Sequence, residues 1–299
     1  MRVPLDKLGG VLKRGASAAH DAEAPIRVAV YLDDSATDFL VSCVKGSLVP
    51  QAPTAMVRVE RLGAPIDRKH DTDVAIVISC GSELLEERVK ALVIAGAPVV
   101  VLAESSVEVP FIVEDTPMLG LIASTDEAYL RERLARWVLD RTDKPMAFAA
   151  NFPFMRDAAS NRVIADAALG NMVTGALVFI PGADYPVMAV QQVGMLVELA
   201  GIHGKGLKME RTYEIAGVLA GGLVLRAATR AVVARTPRFG FVVKALVGGF
   251  GTYAMGKALV ALYESDVDYS VLNDCLSRAA GSIRAVVGAH AQEKRGKAV

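Results

Sequence analysis

Five short runs rich in β-branched residues, separated by segments with helical periodicity, constrain the fold of this chain more than any other feature. The runs lie between residues 26 and 124 and read IRVAVYL, AMVRVERL, DVAIVISC, PVVVLAE and MLGLIAS. Such continuous apolar runs are typical of parallel strands, because helices cover both faces of a parallel sheet. We therefore predict an α/β domain with a doubly wound parallel sheet of about five strands.

Helices are predicted between these strands and throughout the second half of the chain. The last helix of the α/β domain is expected to begin at a Ser124/Thr125 cap. After a break at Lys144 and Pro145, the chain is rich in Ala, Gly, Val and Leu and lacks strand alternation, which predicts an all-α domain. The expected organisation is a basic N-terminal segment at 1–25, an α/β domain at 26–143 and an α-helical domain with a basic tail at 144–299. The predicted helices of the α/β domain are 35–46, 82–95 and 125–140.

Charge is distributed unevenly along a chain that is neutral overall. Residues 1–150 contain 17 Lys and Arg against 22 Asp and Glu, and residues 151–299 contain 16 against 11. The second half lacks the concentrated basic face that nucleic-acid binding requires, so no nucleic-acid partner is expected. A moderately basic, apolar half is nevertheless suited to an anionic membrane surface.

The three cysteines indicate neither a disulfide framework nor a zinc site. Cys43, Cys80 and Cys275 are far apart, with no CxxC spacing and no adjacent histidine. A reducing cytoplasmic setting is therefore expected. No cofactor is predicted.

The loop after the first strand lacks the residues that bind nucleotide phosphate. A phosphate loop reads GxxxxGK[ST], in which Lys neutralises charge and Ser/Thr binds magnesium. Here both glycines are absent, and the Lys and Ser/Thr positions hold Asp38 and Phe39. Asp33, Asp34 and Asp38 place negative charge where a triphosphate would lie. Neither guanine-nucleotide binding nor GTP hydrolysis is expected.

The other GTPase landmarks appear in order but without their defining residues. Residues 60–63 (ERLG) take the place of the DxxG element, residues 103–106 (AESS) that of the guanine-reading NKxD element, and residues 123–124 that of the last base-contacting loop. Residues 26–141 thus resemble a degenerate GTPase domain. The resemblance implies a non-catalytic pseudo-GTPase.

Three roles stay open for the acidic loop. An N-cap role for Asp33 and Asp34 is favoured. An acidic pair after the first strand also occurs in phospho-acceptor receiver domains, but the third strand ends in Ser79-Cys80 where the acceptor Asp is needed. The remaining alternative is a small-ligand or divalent-metal site formed by Asp33, Asp34 and Asp38.

The helical half carries a second resemblance, over about residues 151–265. It rests on Arg156 and the Ala-rich helix that follows it, on IPGADYPVMAVQQVGMLVELAGIHG at 180–204, and on GTYAMGKALVALYE at 251–264. These segments are similar to the YcjF-like family of uncharacterised bacterial proteins, which are often membrane-associated and sometimes linked to GTPase domains. The family supplies no catalytic residues. It implies a location at the cytoplasmic face of, or within, the cell membrane.

Four polar residues of the helical half stand out. Asp184 follows a Pro-Gly turn and is expected in a cap or turn. Gln191 and Gln192 are expected to form polar links in a helix bundle. His203, in the glycine-rich HGKG, is expected in a surface loop, because no acid or cysteine at useful spacing supports a catalytic role.

Two long apolar segments, 212–235 and 241–263, are predicted to form a helical hairpin. Either is long enough to cross about 30 Å of hydrocarbon. However, Arg226 and Arg230 interrupt the first segment, and each Arg near the bilayer centre costs about 2.5–3.5 kcal/mol. Lys244 and Lys257 divide the second segment.

Small residues at four-residue spacing, at 217/221 and 248/252/256, should let these helices pack closely. A last amphipathic helix is predicted at 269–289. We expect a scaffold or adaptor that associates with a membrane surface or a partner protein, with homo-oligomerisation open. A soluble, self-assembling helical-bundle protein is the alternative.

Overall fold

The described part of the protein is an α/β segment followed by helices. A computed structural model describes residues 20–64, 71–177, 184–205 and 240–265, and between them residues 217, 218, 220–222, 227, 229, 231, 233 and 234, all of which are helical. The elements are β1 (Ile26–Leu32), α1 (Asp38–Ser47), β2 (Ala55–Arg61), β3 (Val74–Ile78), α2 (Leu85–Ile94), β4 (Val99–Ala103), β5 (Leu119–Ala123), α3 (Glu127–Arg141), α4 (Pro145–Asn151), α5 (Arg156–Leu177), α6 (Asp184–Ile202) and α7 (Gly240–Glu264).

The five strands form one parallel sheet in the order β2-β1-β3-β4-β5. β1 pairs with β2 over its whole length and with β3 from Val28–Val74 to Leu32–Ile78. This is the flavodoxin-like order of doubly wound sheets, in which the direction of winding reverses between β1 and β3. The predicted doubly wound parallel sheet is confirmed. Its GTPase-like origin stays a prediction, because several unrelated domains share this order.

Alternate residues of the strands supply two separate cores, as the two-residue period of a strand requires. Val28, Val30 and Ile76 face α1 and α3, whereas Ala29, Val77 and Val101 face α2. All of these side chains are buried. Helices on both faces explain why the strand sequences are apolar throughout.

The core on the α1/α3 face continues into the helical half. Phe148 of α4, Phe152, and Ile164 of α5 are fully buried members of the same cluster. The predicted boundary near Lys144 lies between α3 and α4, and Lys144 Nζ donates to Asp73 Oδ1 at 2.8 Å and to the Pro25 carbonyl at 2.9 Å. The two halves are thus joined by a continuous apolar core.

The cap of α3 differs from the prediction. Asp126, not Ser124 or Thr125, caps the helix, since its Oδ1 accepts from Tyr129 N at 2.9 Å. Ser124 Oγ instead accepts from Asp126 N at 3.0 Å and so fixes the capping residue. A carboxylate satisfies the free N–H group and also interacts favourably with the helix dipole.

Helices α5, α6 and α7 pack side by side, with α5 antiparallel to the other two. A Cβ at Gly175 would lie 2.6 Å from the Lys244 carbonyl oxygen, and one at Gly256 would lie 2.6 Å from Ile164 Cγ1. Gly248 and Gly256 thus allow close packing of α7, but against α5, and the predicted hairpin of 212–235 with 241–263 stays a prediction. The helical bounds of α7 confirm the segment 241–263, whereas residues 235–239, 212–216 and 269–289 lie outside the described residues.

Candidate functional site

The loops after β1 and β3 meet at the carboxyl edge of the sheet, where doubly wound proteins bind their ligands. Asp33 N donates to the Ile78 carbonyl at 3.0 Å, so the β1–β3 ladder extends into the loop. This places Asp33 beside Ser79, the residue that follows β3. The sequence indicates no partner for Asp33, and only the pairing of β1 with β3 brings the two residues together.

The Asp33 carboxylate is fully engaged by neighbouring donors. Oδ2 accepts from Ser35 Oγ at 2.7 Å and from Ser79 Oγ at 2.5 Å, and Oδ1 accepts from Asp34 N at 2.9 Å. Ser35 Oγ in turn accepts from Cys80 N at 3.0 Å. Protein hydrogen bonds therefore bridge the crevice between β1 and β3.

The predicted N-cap role of Asp33 and Asp34 is wrong. The N-cap of α1 is Thr37, whose Oγ1 accepts from Leu40 N. Asp38 is the first residue of the helix, where its charge complements the dipole. Asp33 accepts from Ser79 and Ser35 instead, because the β1–β3 pairing continues through Asp33 N to the Ile78 carbonyl and places its side chain beside Ser79.

The hydrogen bonds keep Asp33 ionised. Partial burial acts to raise the pKa of Asp33, but the bonds from Ser79, Ser35 and the Asp34 backbone outweigh it and lower the pKa below the usual 3.8. A carboxylate that accepts several donors is stabilised in its charged form. This group is a fixed negative charge at neutral pH.

More carboxylates stand along the same edge. Glu104 Oε1 accepts from Thr37 Oγ1 at 2.6 Å, and Glu108 Oε2 accepts from the backbone N–H groups of Glu104 and Ser105. Burial, and then the negative charges of Glu108 and Glu104, raise the pKa of the Cys80 thiol. The segment predicted at the guanine-reading position is thus an acidic, self-capped turn, and its field opposes phosphate binding.

Asp34 and Asp38 are exposed, unlike Asp33. Over the ranges that the structure describes, no three His, Cys, Asp or Glu side chains are grouped so as to hold a metal ion. The metal-site alternative at Asp33, Asp34 and Asp38 therefore has no ligand cluster to rest on.

A buried polar cluster links the three long helices. Asn171 Nδ2 of α5 and Gln192 Nε2 of α6 both donate to Thr252 Oγ1 of α7, at 2.7 and 3.1 Å. The prediction of a polar link is confirmed for Gln192. Gln191 Oε1 is buried beside Gly170 and has no hydrogen-bond partner in the part of the chain described.

The sequence of the helical half also singles out Asp184, Arg226 and Arg230. Asp184 is the first residue of α6, and its predicted cap or turn role stays a prediction because residues 178–183 lie outside the described residues. Arg226 and Arg230 lie outside the described residues.

His203 does not lie in a surface loop, so that prediction is wrong. The side chain is only 9% exposed. Its Nε2 is 3.4 Å from Ser160 Oγ, and its ring packs at 48° against Tyr263 with 5.6 Å between centroids. α6 extends to Ile202 and Gly204 follows at φ 64°, so His203 N still donates to the Leu199 carbonyl at 3.1 Å and the side chain packs against α5 and α7.

The opposite end of the helix bundle has an exposed apolar surface, which we call the apolar tip. It lies at the carboxyl end of α5 and the amino ends of α6 and α7. From Asp166 to Glu198 the only intervening charged residue is Asp184, and residues 240–256 contain only Lys244. The exposed side chains of the apolar tip are Leu169, Val173, Leu177, Val187, Phe241, Val242, Leu246 and Phe250.

By length and composition, α7 is able to cross a membrane, and 28% of its most apolar stretch is buried in the fold. α5 lies along it, however, and carries Arg162 and Asp166 on exposed positions beside the carboxyl half of α7. Composition alone therefore marks α7 as apolar, whereas its packing distinguishes an amino half whose one charged residue is Lys244 from a carboxyl half that lies beside Arg162 and Asp166.

Fold and site together define an α/β protein in which a flavodoxin-like sheet with a bridged, acidic edge is joined to an apolar helix bundle. Comparisons with protein-family models, with curated proteins and with solved structures find no match to this chain. The resemblances to GTPase domains and to YcjF-like proteins stay predictions.

Proposed function

We propose that this protein is a non-catalytic scaffold that attaches to an anionic membrane through its apolar tip and presents its α/β segment to a partner protein. The observation that carries the proposal is the apolar tip itself. Phe250 is 65% exposed and Leu177 65% exposed. A group of exposed large apolar side chains at one end of a fold is typical of an interaction surface.

The chemistry of the sheet edge supports the non-catalytic part. In a nucleotide-binding domain, the loop after β1 supplies backbone N–H groups and a Lys to the phosphates. Here the crevice is bridged by Asp33 and Ser79, and the neighbouring Glu104 and Glu108 are acidic. These features agree with a pseudo-GTPase whose pocket has become structural.

The dimensions of the apolar tip suit insertion into one leaflet. Residues 169–177 of α5 span about 12 Å and residues 241–250 of α7 about 14 Å at 1.5 Å per residue. One leaflet contributes about half of the 30 Å hydrocarbon thickness. The charges of Arg162 and Asp166 would then stay at the interface.

The packing of α5 against α7 favours insertion of the apolar tip into one leaflet over a bilayer-spanning α7. If α7 crossed the bilayer in this conformation, Arg162 and Asp166 would accompany it into hydrocarbon. Each charge near the bilayer centre costs about 2.5–3.5 kcal/mol. The described helix ends at the tip carry two charged residues of opposite sign, Asp184 and Lys244, and the long apolar stem of a Lys side chain lets its charged group extend toward a more polar region.

Flotation with vesicles that contain phosphatidylserine tests the proposal on the full-length chain. A truncation near Lys144 would expose the shared core, so point variants are preferable. Phe250→Glu adds a charge in the apolar tip and should lower the bound fraction at least about tenfold. Ile94→Glu is the matched control, because Ile94 is 80% exposed at the end of α2, in the α/β segment. It should float like the wild type.

Four outcomes would count against the proposal. Equal flotation of both variants, or none of the wild type, would remove the apolar tip as a membrane contact. If Phe250→Glu instead dissociated an oligomer in lipid-free solution, the tip would be an interface between copies, as in the self-assembly alternative. Magnesium-dependent, micromolar binding of GTP would contradict the pseudo-GTPase part.

A further inference from the structure

A cavity of about 440 Å³ lies at the end of the bundle opposite the apolar tip. It is bounded by the loop before β2, the start of α5 and the end of α6. Its volume is within the range of small-molecule sites. Its polar lining residues include Glu23, Gln51, Asn151, Arg156, His203 and Lys205.

Two cations of the cavity have no counter-ion among the described residues. No carboxylate there lies within 4.0 Å of Arg156 or Lys205. Arg156 Nη2 donates to the Ala150 carbonyl at 3.2 Å, but Arg156 Nε is buried and has no hydrogen-bond partner in the described ranges of the chain. Lys205 Nζ lies 5.6 Å from the centroid of the Tyr263 ring. A buried N–H donor without an acceptor is costly, so an acceptor from outside the protein would be stabilised here.

The positive charges of Arg156 and Lys205 also affect the pKa of His203, which lines the same cavity. Burial, and then the positive charges of Arg156 and Lys205, lower the pKa of His203 to about 4, although Asp157 opposes them. His203 is thus neutral near pH 7. The two fixed cations are opposed by Glu23, the one carboxylate among the described lining residues, and Glu23 is exposed at the rim.

We infer that this cavity binds the phosphate group of a small molecule through Arg156 and Lys205. A guanidinium supplies paired donors in a planar fork, and Lys adds a point charge, which together match a phosphate monoester. Such a group carries a charge of about −1.5 to −2 at pH 7, which nearly balances the positive charges of Arg156 and Lys205. The imidazole of His203 and the amide of Asn151 line the same space and offer further polar contacts.

Titration with inorganic phosphate at constant ionic strength, followed by NMR of the histidine side chains, tests the inference on the full chain. Phosphate should shift the His203 resonance saturably and raise its pKa by about one unit, because the added anion offsets Arg156 and Lys205. Arg156→Gln and Lys205→Gln should each weaken phosphate binding at least about tenfold. Arg162→Gln removes a surface charge that pairs with Asp140 at 3.2 Å, and it should bind like the wild type.

Equal phosphate affinity in the wild type, Lys205→Gln and Arg162→Gln would overturn the inference. If Arg156→Gln does not fold, the Lys205→Gln comparison and the wild-type His203 pKa decide it alone. Glycerol phosphate and vesicles with phosphomonoester headgroups then identify the source of the phosphate group. A response to either that depends on Lys205 supports the inference. Phe250→Glu should leave phosphate binding unchanged, which separates this test from the membrane proposal.

Discussion

Ser79 donates a 2.5 Å hydrogen bond to the carboxylate of Asp33, and so joins the end of β3 to the loop after β1. The bond lies where a doubly wound sheet normally opens to its ligand. The acidic loop, for which the sequence favours a helix-capping role, is thereby held in place by the neighbouring strand.

Asp33→Asn should destabilise the fold at pH 7 by about 1–2 kcal/mol, because the charge-assisted bonds from Ser35 and Ser79 are weakened. Urea denaturation measures the change. Asp34→Asn is the control, since the Asp34 side chain is exposed, and it should lie within about 0.5 kcal/mol of the wild type.

The contribution of Asp33 to stability should also depend on pH. The pKa of Asp33 is lowered in the folded state, so its contribution is present above the unfolded pKa near 3.8 and is lost as the pH falls through the folded value. If added metal ions raised the melting temperature of the wild type but not that of Asp33→Asn, the result would support the metal-site alternative.

Thr252→Val should cost about 1–3 kcal/mol, because it removes the oxygen that accepts from both Asn171 and Gln192 and leaves two buried amides unpaired. Thermal or chemical unfolding measures the loss. Thr174→Val is a matched isosteric control: its Oγ1 only donates to the Gly170 carbonyl one turn earlier, at 2.8 Å. Equal losses in the two variants would show that the shared acceptor has no special role.

Gly175→Ala should destabilise the bundle by about 1–3 kcal/mol. The new methyl would meet the backbone of α7 at Lys244, and backbone atoms cannot move aside by a change of rotamer. Gly194→Ala on α6 is the control, because nothing lies within 4 Å of its added Cβ. Alanine has the higher helix propensity, so this control should be neutral or stabilising by up to about 1 kcal/mol. A stabilising effect at both positions would contradict the close approach of α5 and α7.

His203 should make the fold less stable as the pH falls from 7.5 to 5.0. Its pKa is about 4 in the folded state and near 6.5 in the unfolded chain, so the unfolded state binds more protons between these values. In phosphate-free buffer, the wild type should lose about 1–2 kcal/mol more than His203→Gln over this range. His20 is exposed, so His20→Gln should keep the wild-type pH dependence. Identical pH profiles for the wild type and His203→Gln would contradict the burial of the imidazole.

Local patterns predicted most of the elements of this protein. The five apolar runs became five strands, and the helix 241–263 became α7, because strand and helix periods are properties of neighbouring residues. The absence of the phosphate-loop residues is equally clear from the sequence, since that motif is contiguous in the chain. Helix ends were less accurate: the cap at Asp126 competes with Ser124 and Thr125, which are also good capping residues.

The sequence by itself determined the parallel sheet, the helical second half, the apolar stretches and the absence of the phosphate-binding residues, all of which are short-range features. Tertiary structure alone decided the rest. It placed Asp33 on Ser79 instead of on the helix N-terminus, joined Asn171 and Gln192 through Thr252, and enclosed His203 next to Arg156 and Lys205. Each of these depends on contacts between residues distant in the chain, and the energies of such contacts come from burial and pairing that no local pattern records.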